Sequence, residues 1–327
     1  SVRIRSACDT ADASNILANV PDGTSLSRTG KNADWTRIQW EGKTGYISTA
    51  YISETAKQKK TQISAGSSSQ GGAIAENGRQ VLLDPNWDYA EFAKITSGTA
   101  VLYQSQTAER KNLTICVNAG HGTKGGASVK TQCHPDGSPK VTGGTTGAGA
   151  VTAAAVSGGM TFDDGTPESS VTLSMALILK DKLLAKGYDV LMIRETEDVQ
   201  LDNIARTLIA NNASDCHIAL HWDSTSSNKG AFYMSVPNNA AYRNMEPVKS
   251  NWQKHNALGE SLVAGLKEKG VKIFSGGSME MDLTQTSYST VPSVDIELGD
   301  KASDHSQAAL KQLADGLAAG IDQYFAG

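Results

Sequence analysis

The sequence predicts an α/β chain: a mostly parallel sheet flanked by helices, preceded by a small all-β barrel. Three observations carry this reading. Residues 2–53 read as short strands with frequent turns, whereas from residue 113 onward apolar strands alternate with amphipathic helices. Three of those strands, in residues 115–122, 216–222 and 291–299, are apolar runs with a polar residue near the C-terminal end. In an open α/β sheet such ends converge on one crevice, where ligands and metals bind.

In the first segment, Val2 and Ile4 begin an alternating run, and Pro21-Asp22-Gly23-Thr24 is a turn signal. Trp35, Ile38 and Trp40 form a strand that Glu41-Gly42-Lys43 turns back into Gly45-Tyr46-Ile47. This is domain 1–54. Residues 55–80 change character: Lys57, Lys59 and Lys60 precede Ala65-Gly66-Ser67-Ser68-Ser69-Gln70-Gly71-Gly72, the composition of a flexible linker. Residues 81–327 form the second domain. It opens on an apolar lead-in, 81–112, with Trp87, Tyr89, Phe92 and Val101-Leu102-Tyr103.

A helix is expected over 169–186, with Leu173, Ala176, Leu177, Leu183 and Leu184 on one face and Gly187 as its stop. Residues 188–194 form a buried-type strand, and Leu201, Ile204, Ala205 and Leu208 mark the next helix. Two further helices are expected over 256–269 and 304–325. Between His121 and the first long helix, residues 123–166 are dense in Gly, Ala, Thr and Ser. A segment of this length without regular structure is either disordered or a loop lining the site.

The 327 residues carry a net charge of −4, which speaks against nucleic acid as a partner, since phosphate binding needs a basic footprint. No apolar run is long enough to span a membrane. No signal peptide precedes Ser1, as expected of a processed or trimmed chain. The four cysteines, Cys8, Cys116, Cys133 and Cys216, do not make a disulfide scaffold. Cys116 and Cys216 read as buried thiols, with a bridge between them open only if their strands are suitably placed neighbours.

The chemistry sits in the histidines and carboxylates. Catalytic zinc takes three protein ligands from His and Asp/Glu and leaves one position open. His121 and His221 supply two candidates. Glu168, in Thr166-Pro167-Glu168-Ser169, supplies the third, with Asp163, Asp164 and His134 as local competitors. Taken singly, each has a plainer reading: His121 a hydrogen-bonded turn residue, His221 a satisfied core histidine, Glu168 a first-turn acid complementing the helix dipole.

Taken in order, these motifs resemble the zinc-dependent N-acetylmuramoyl-L-alanine amidases of the type-3 amidase family. The residues that carry the resemblance are Asn118 to Gly122, Glu168 with Gly187 and Arg194, Leu220-His221-Trp222-Asp223, and Val291-Pro292 to Gly299, over about residues 113–325. The resemblance implies His121, Glu168 and His221 as zinc ligands and Glu297 as the catalytic carboxylate. It implies hydrolysis of the amide between N-acetylmuramic acid and L-alanine of the stem peptide by zinc-activated water. Two features depart from the pattern. His121 and Glu168 lie 47 residues apart, an excess supplied by the 123–166 insertion, and Trp222-Asp223 stands where a small residue and Asn are common.

Residues 2–53 are similar to a bacterial Src-homology-3-like (SH3-like) domain through Val2-Arg3-Ile4-Arg5, Asp34-Trp35-Thr36-Arg37-Ile38 and the 45–52 strand. In secreted cell-wall proteins that module commonly binds peptidoglycan. The joint resemblance implies a secreted autolysin of the cell wall whose partner is peptidoglycan and whose cofactor is Zn2+. The alternatives are a zinc peptidase cutting within the stem peptide and a non-catalytic wall-binding protein. Oligomeric state is left open.

Overall fold

A computed structural model describes residues 2–10, 13–20, 26, 28–31, 34–40, 43–52 and 78–326. The expected linker therefore lies outside the described residues except for Gly78, Arg79 and Gln80, and the last two belong to a strand. The chain divides into two compact units, Ser1–Ala75 and Glu76–Gly327.

The first unit is a small antiparallel sheet of β1 (Val2–Arg5), β2 (Ile16–Val20), β3 (Arg28–Lys31), β4 (Trp35–Trp40) and β5 (Lys43–Ser48), in the order β2-β1-β5-β4-β3. Alternation sends Ile4, Val20, Ile38 and Ile47 to one buried cluster, against which Val2, Trp40 and Ile52 pack. A core this small gives the unit little apolar area to bury.

The second unit is built on an eight-stranded sheet. In chain order its elements are β6 (Arg79–Val81), β7 (Ala100–Tyr103), β8 (Thr114–Ala119), β9 (Lys130–Gln132), β10 (Thr152–Ala154), α1 (Glu168–Ala185), β11 (Asp189–Met192), α2 (Asn203–Ala213), β12 (Cys216–Asp223), β13 (Ala231–Ser235), α3 (Ala240–Asn244), α4 (Val248–Glu268), β14 (Ile273–Glu280), α5 (Thr284–Tyr288), β15 (Ser293–Asp300) and α6 (Gln307–Ala326). The large sheet runs β14-β13-β15-β12-β8-β11-β7-β6, while β9 and β10 pair separately. Its four central strands, β11, β8, β12 and β15, are parallel. The antiparallel pairings fall outside them, β7 on β11, β6 on β7 and β13 on β15.

Helices cover both faces, as buried parallel strands require. Helices α1, α4 and α6 join one face in a single large apolar cluster, and α2 closes the other. Helix α1 ends where expected. Gly187, at φ 91°, breaks it, and Tyr188 N–H turns back to the Leu183 carbonyl at 3.1 Å. Helix α4 starts two turns before the expected 256, because Val248, Asn251 and His255 already face inward. The polar letters Lys249-Ser250-Asn251 conceal that face in the sequence. Strands β13 and β14 likewise carried no clear alternation.

Cys116 and Cys216 sit on neighbouring strands but do not bridge. Cys216 pairs in register with Ile115, so the two thiols fall on opposite faces of the sheet and in different clusters.

Candidate active site

The carboxyl ends of β8, β12 and β15 open into a cleft of about 550 Å³. At the end of β8, Gly120 N–H still reaches the Leu220 carbonyl of β12 at 3.1 Å. The chain then turns, with His121 at φ 62°. A non-glycine residue holds that left-handed conformation only where its surroundings fix it. Here they do: the Gly120 carbonyl accepts from Thr172 Oγ1 (2.9 Å) and Arg194 Nη2 (3.0 Å), and the His121 carbonyl from Arg206 Nη2 (2.6 Å).

Arg206, on α2, is the keystone of this turn. Its Nε donates to the Leu201 carbonyl (3.0 Å), Nη1 to Asn118 Oδ1 (3.1 Å) and the Ala119 carbonyl (3.2 Å), and Nη2 also to Thr123 Oγ1 (2.8 Å). All five of its N–H donors are thus used. Burial pulls its pKa down to about 9, which still leaves it charged at neutral pH. Asn118, held by Arg206, passes its own Nδ2–H to His217 Nε2 at 3.1 Å.

Gly120 has a second role. A Cβ there would fall 2.3 Å from His221 Cε1, so only glycine lets the His221 ring lie over the end of β8. The two imidazoles meet edge to face, with ring centroids 4.6 Å apart.

Glu168 opens α1, and the 47-residue spacing does not displace it. The chain folds back just before the helix, with Phe162 N–H on the Thr166 carbonyl (2.9 Å) and Glu168 N–H on the Met160 carbonyl (3.0 Å). The Glu168 carboxylate accepts Met160 N–H at Oε2 (2.8 Å) and Trp222 N–H at Oε1 (3.0 Å).

Three donor atoms converge as a result. His121 Nε2 lies 2.9 Å from Glu168 Oε1 and 3.0 Å from His221 Nδ1, and His221 Nδ1 lies 3.2 Å from Glu168 Oε1. Among the described residues this is the group of His, Cys, Asp and Glu whose donors meet closely enough to hold a metal. Tetrahedral bonds of zinc length would space such donors roughly 3.3 Å apart, so the triangle fits after a small expansion. His121 is further set by its Nδ1, 2.9 Å from the Ser157 carbonyl, which leaves Nε2 bare toward the other two.

The electrostatics reflect the same close approach. Burial alone would raise the Glu168 carboxyl, but His121 and His221 outweigh it and hold it well below the ordinary range. Burial disfavours charge on His221, yet Asp295, Glu168 and Glu297 raise it to about 10.

Glu297 lies on β15 directly beside His221 of β12, its Cα partner across the ladder. It is buried at 9 % exposure and lines the cleft, and among the described residues its Oε2 has no hydrogen-bond partner. Burial and then the charge of Asp295 raise its pKa well above the usual carboxylate value. The competitors named from sequence go elsewhere. Asp163 accepts from Ser226 Oγ, Asp164 pairs with His305 at 3.2 Å, and His134 pairs with Asp282 at 3.0 Å.

The 123–166 insertion is ordered around β9 and β10 and supplies one wall of the cleft, including Lys140, Thr145, Val156 and Gly159. It is pinned by Asp282, between β14 and α5. The Asp282 carboxylate accepts Val141 N–H (2.7 Å), Thr142 N–H (3.0 Å), Lys140 Nζ (3.0 Å), Thr142 Oγ1 and His134 Nε2. Burial would raise this carboxyl, but His134, Thr142, Val141 and Lys140 together hold it well below the ordinary range.

Sequence reasoning missed Arg206, Asp282 and Asp295. Only Asp295 had a local signal: two positions before Glu297 on one strand, it must share that residue's face.

The family model described as N-acetylmuramoyl-L-alanine amidase matches residues 115–323, more than half of the chain. A search of curated protein sequences finds no match. Among solved structures, the N-acetylmuramyl-L-alanine amidase Ami1 from Mycobacterium smegmatis is 19% identical at a TM-score of 0.52, covering 66% of this chain and 97% of its own. The apo form of Ami1 from Mycobacterium abscessus is 20% identical at a TM-score of 0.51, covering 67% of this chain and 100% of its own. At these identities the structures establish the fold, and the family match establishes that this chain belongs to the N-acetylmuramoyl-L-alanine amidase family.

Proposed function

We propose that this peptidoglycan amidase is zinc-dependent, with His121, Glu168 and His221 as metal ligands and Glu297 as general base. The observation that carries the proposal is the convergence of three donor atoms within 3.2 Å of one another beside a carboxylate whose Oε2 is unpartnered. When bound, zinc supplies Lewis acidity toward water and toward the scissile carbonyl. The substrate bond is the amide joining the lactyl group of N-acetylmuramic acid to L-alanine of the stem peptide.

The protein's own groups do the rest. Ser157 and Arg206 hold His121 in place, and Met160 and Trp222 N–H groups hold Glu168. Glu297 takes the proton of the attacking water at Oε2 and returns it to the departing amine of L-alanine. Its raised proton affinity suits a base that must also act as an acid near neutral pH. The insertion wall and the β12 end confine the glycopeptide between them. The first unit serves as an SH3-like wall-binding module, and the protein acts outside the cell, in the wall. Among the described residues no helix is long and apolar enough to cross a membrane.

Metal analysis tests the site. The purified chain should hold one zinc per molecule, and His121→Ala should hold none. Unchanged zinc stoichiometry in that variant would remove the cluster from the mechanism.

A further inference from the structure

Asp295 is a carboxylate with no assigned work. It faces the cleft from β15, two residues before Glu297, and its side chain is 16 % exposed. Among the described residues its ion-pair contact is His221, with Oδ2 3.7 Å from Nε2, while its Oδ1 has no hydrogen-bond partner. A largely buried carboxylate with no lysine or arginine beside it is costly to keep, and a positional role explains its presence.

His221 shows what that role is. Its Nδ1 points at His121 Nε2 and Glu168 Oε1, so Nε2 points away from them and toward β15. A neutral imidazole carries one N–H, and the group facing the second nitrogen decides which nitrogen is bare. His121 solves this with a backbone acceptor, the Ser157 carbonyl at its Nδ1. For His221 the acceptor recorded on the far side, among the described residues, is the Asp295 carboxylate.

We infer that Asp295 is the positioning residue of His221: its carboxylate, 3.7 Å from Nε2, favours the proton on that nitrogen through its charge, leaves Nδ1 bare for the metal, and adds a negative charge behind that ligand. The inference rests on the zinc reading above. Carboxylates in this relation to a ligating histidine orient the ring and make it a stronger donor.

The test compares the full chain with Asp295→Asn and Asp295→Leu by zinc competition against a chromophoric chelator, by the visible spectrum of the cobalt-loaded protein, and by hydrolysis of peptidoglycan at saturating zinc. Asp295→Leu should bind zinc 10- to 100-fold more weakly. Asp295→Asn, whose amide oxygen still accepts and whose shape is kept, should lose less. Both should show a shifted cobalt spectrum, and excess zinc should restore most of the hydrolysis. Zinc affinity within twofold of the parent in both variants, with hydrolysis lost, would overturn the inference and place Asp295 on the reacting groups instead. A parent chain that binds no zinc would overturn the metal reading itself, a result separable from the first because it appears before any substitution.

Discussion

Strands β8, β12 and β15 reach the cleft through apolar packing, whereas the 123–166 insertion reaches it through one buried carboxylate. Ile115, Val117, Ile218, Leu220, Val294 and Ile296 are fully buried, and their alternation decides where His121, His221 and Glu297 emerge. The insertion instead closes on Asp282, which collects hydrogen bonds from His134, Lys140, Val141 and Thr142 across more than 130 residues of sequence. The difference is one of failure mode. A packed strand tolerates loss of one methyl group, but a buried polar hub that loses its acceptor leaves several donors unsatisfied together.

Four substitutions and one change of condition sharpen this contrast. The largest effect is on the strand side: His121→Ala and His221→Ala should abolish zinc binding and hydrolysis while leaving the fold cooperative, as metal analysis and thermal melting would show. Glu297→Ala should keep its zinc yet lose about 10²- to 10⁴-fold in rate, the range of a general base. Full activity there would remove Glu297 from the chemistry.

Asp282→Ala attacks the insertion side. Leaving Lys140 and His134 buried without their acceptor should cost about 3 kcal/mol, felt locally. Limited proteolysis should then cut within 123–166, KM should rise more than kcat falls, and zinc content should stay at one. Loss of zinc in this variant would show that the hub and the metal cluster are one structural unit.

The smallest effect is in pH. Glu297 is raised by burial and by Asp295, so it is protonated below a pKa higher than that of an ordinary glutamate. Hydrolysis needs the carboxylate. Activity should therefore fall, as pH is lowered, at values above about 4.5, the usual glutamate range. A rate that stays flat down to that range would exclude Glu297 as the titrating base.

The same contrast explains what could be read in the sequence. The strand-end rule brought His121, His221 and Glu297 to one cleft, because an apolar run ending in a polar residue is a local pattern. Glu168 was legible because it stands between Pro167 and a helical face, at the opening of the long helix. Arg206 was not. It looks like one charged letter inside an amphipathic helix, and its partners are mostly backbone carbonyls, which leave no mark in composition. Asp282 was hidden for a similar reason, since its partners lie about 140 residues earlier in a segment rich in glycine. Asp295 was readable and overlooked: strand alternation places it beside Glu297, but its contact with His221 depends on how β12 and β15 pair.

The central claim is a zinc-dependent cut between sugar and peptide. Mass spectrometry of peptidoglycan digested by the chain, with and without a chelator, tests it most directly. The account predicts free lactyl carboxylate on muramic acid and new L-alanine amino termini, lost with chelator and restored by zinc. New termini within the stem peptide, or cleavage indifferent to the chelator, would contradict it.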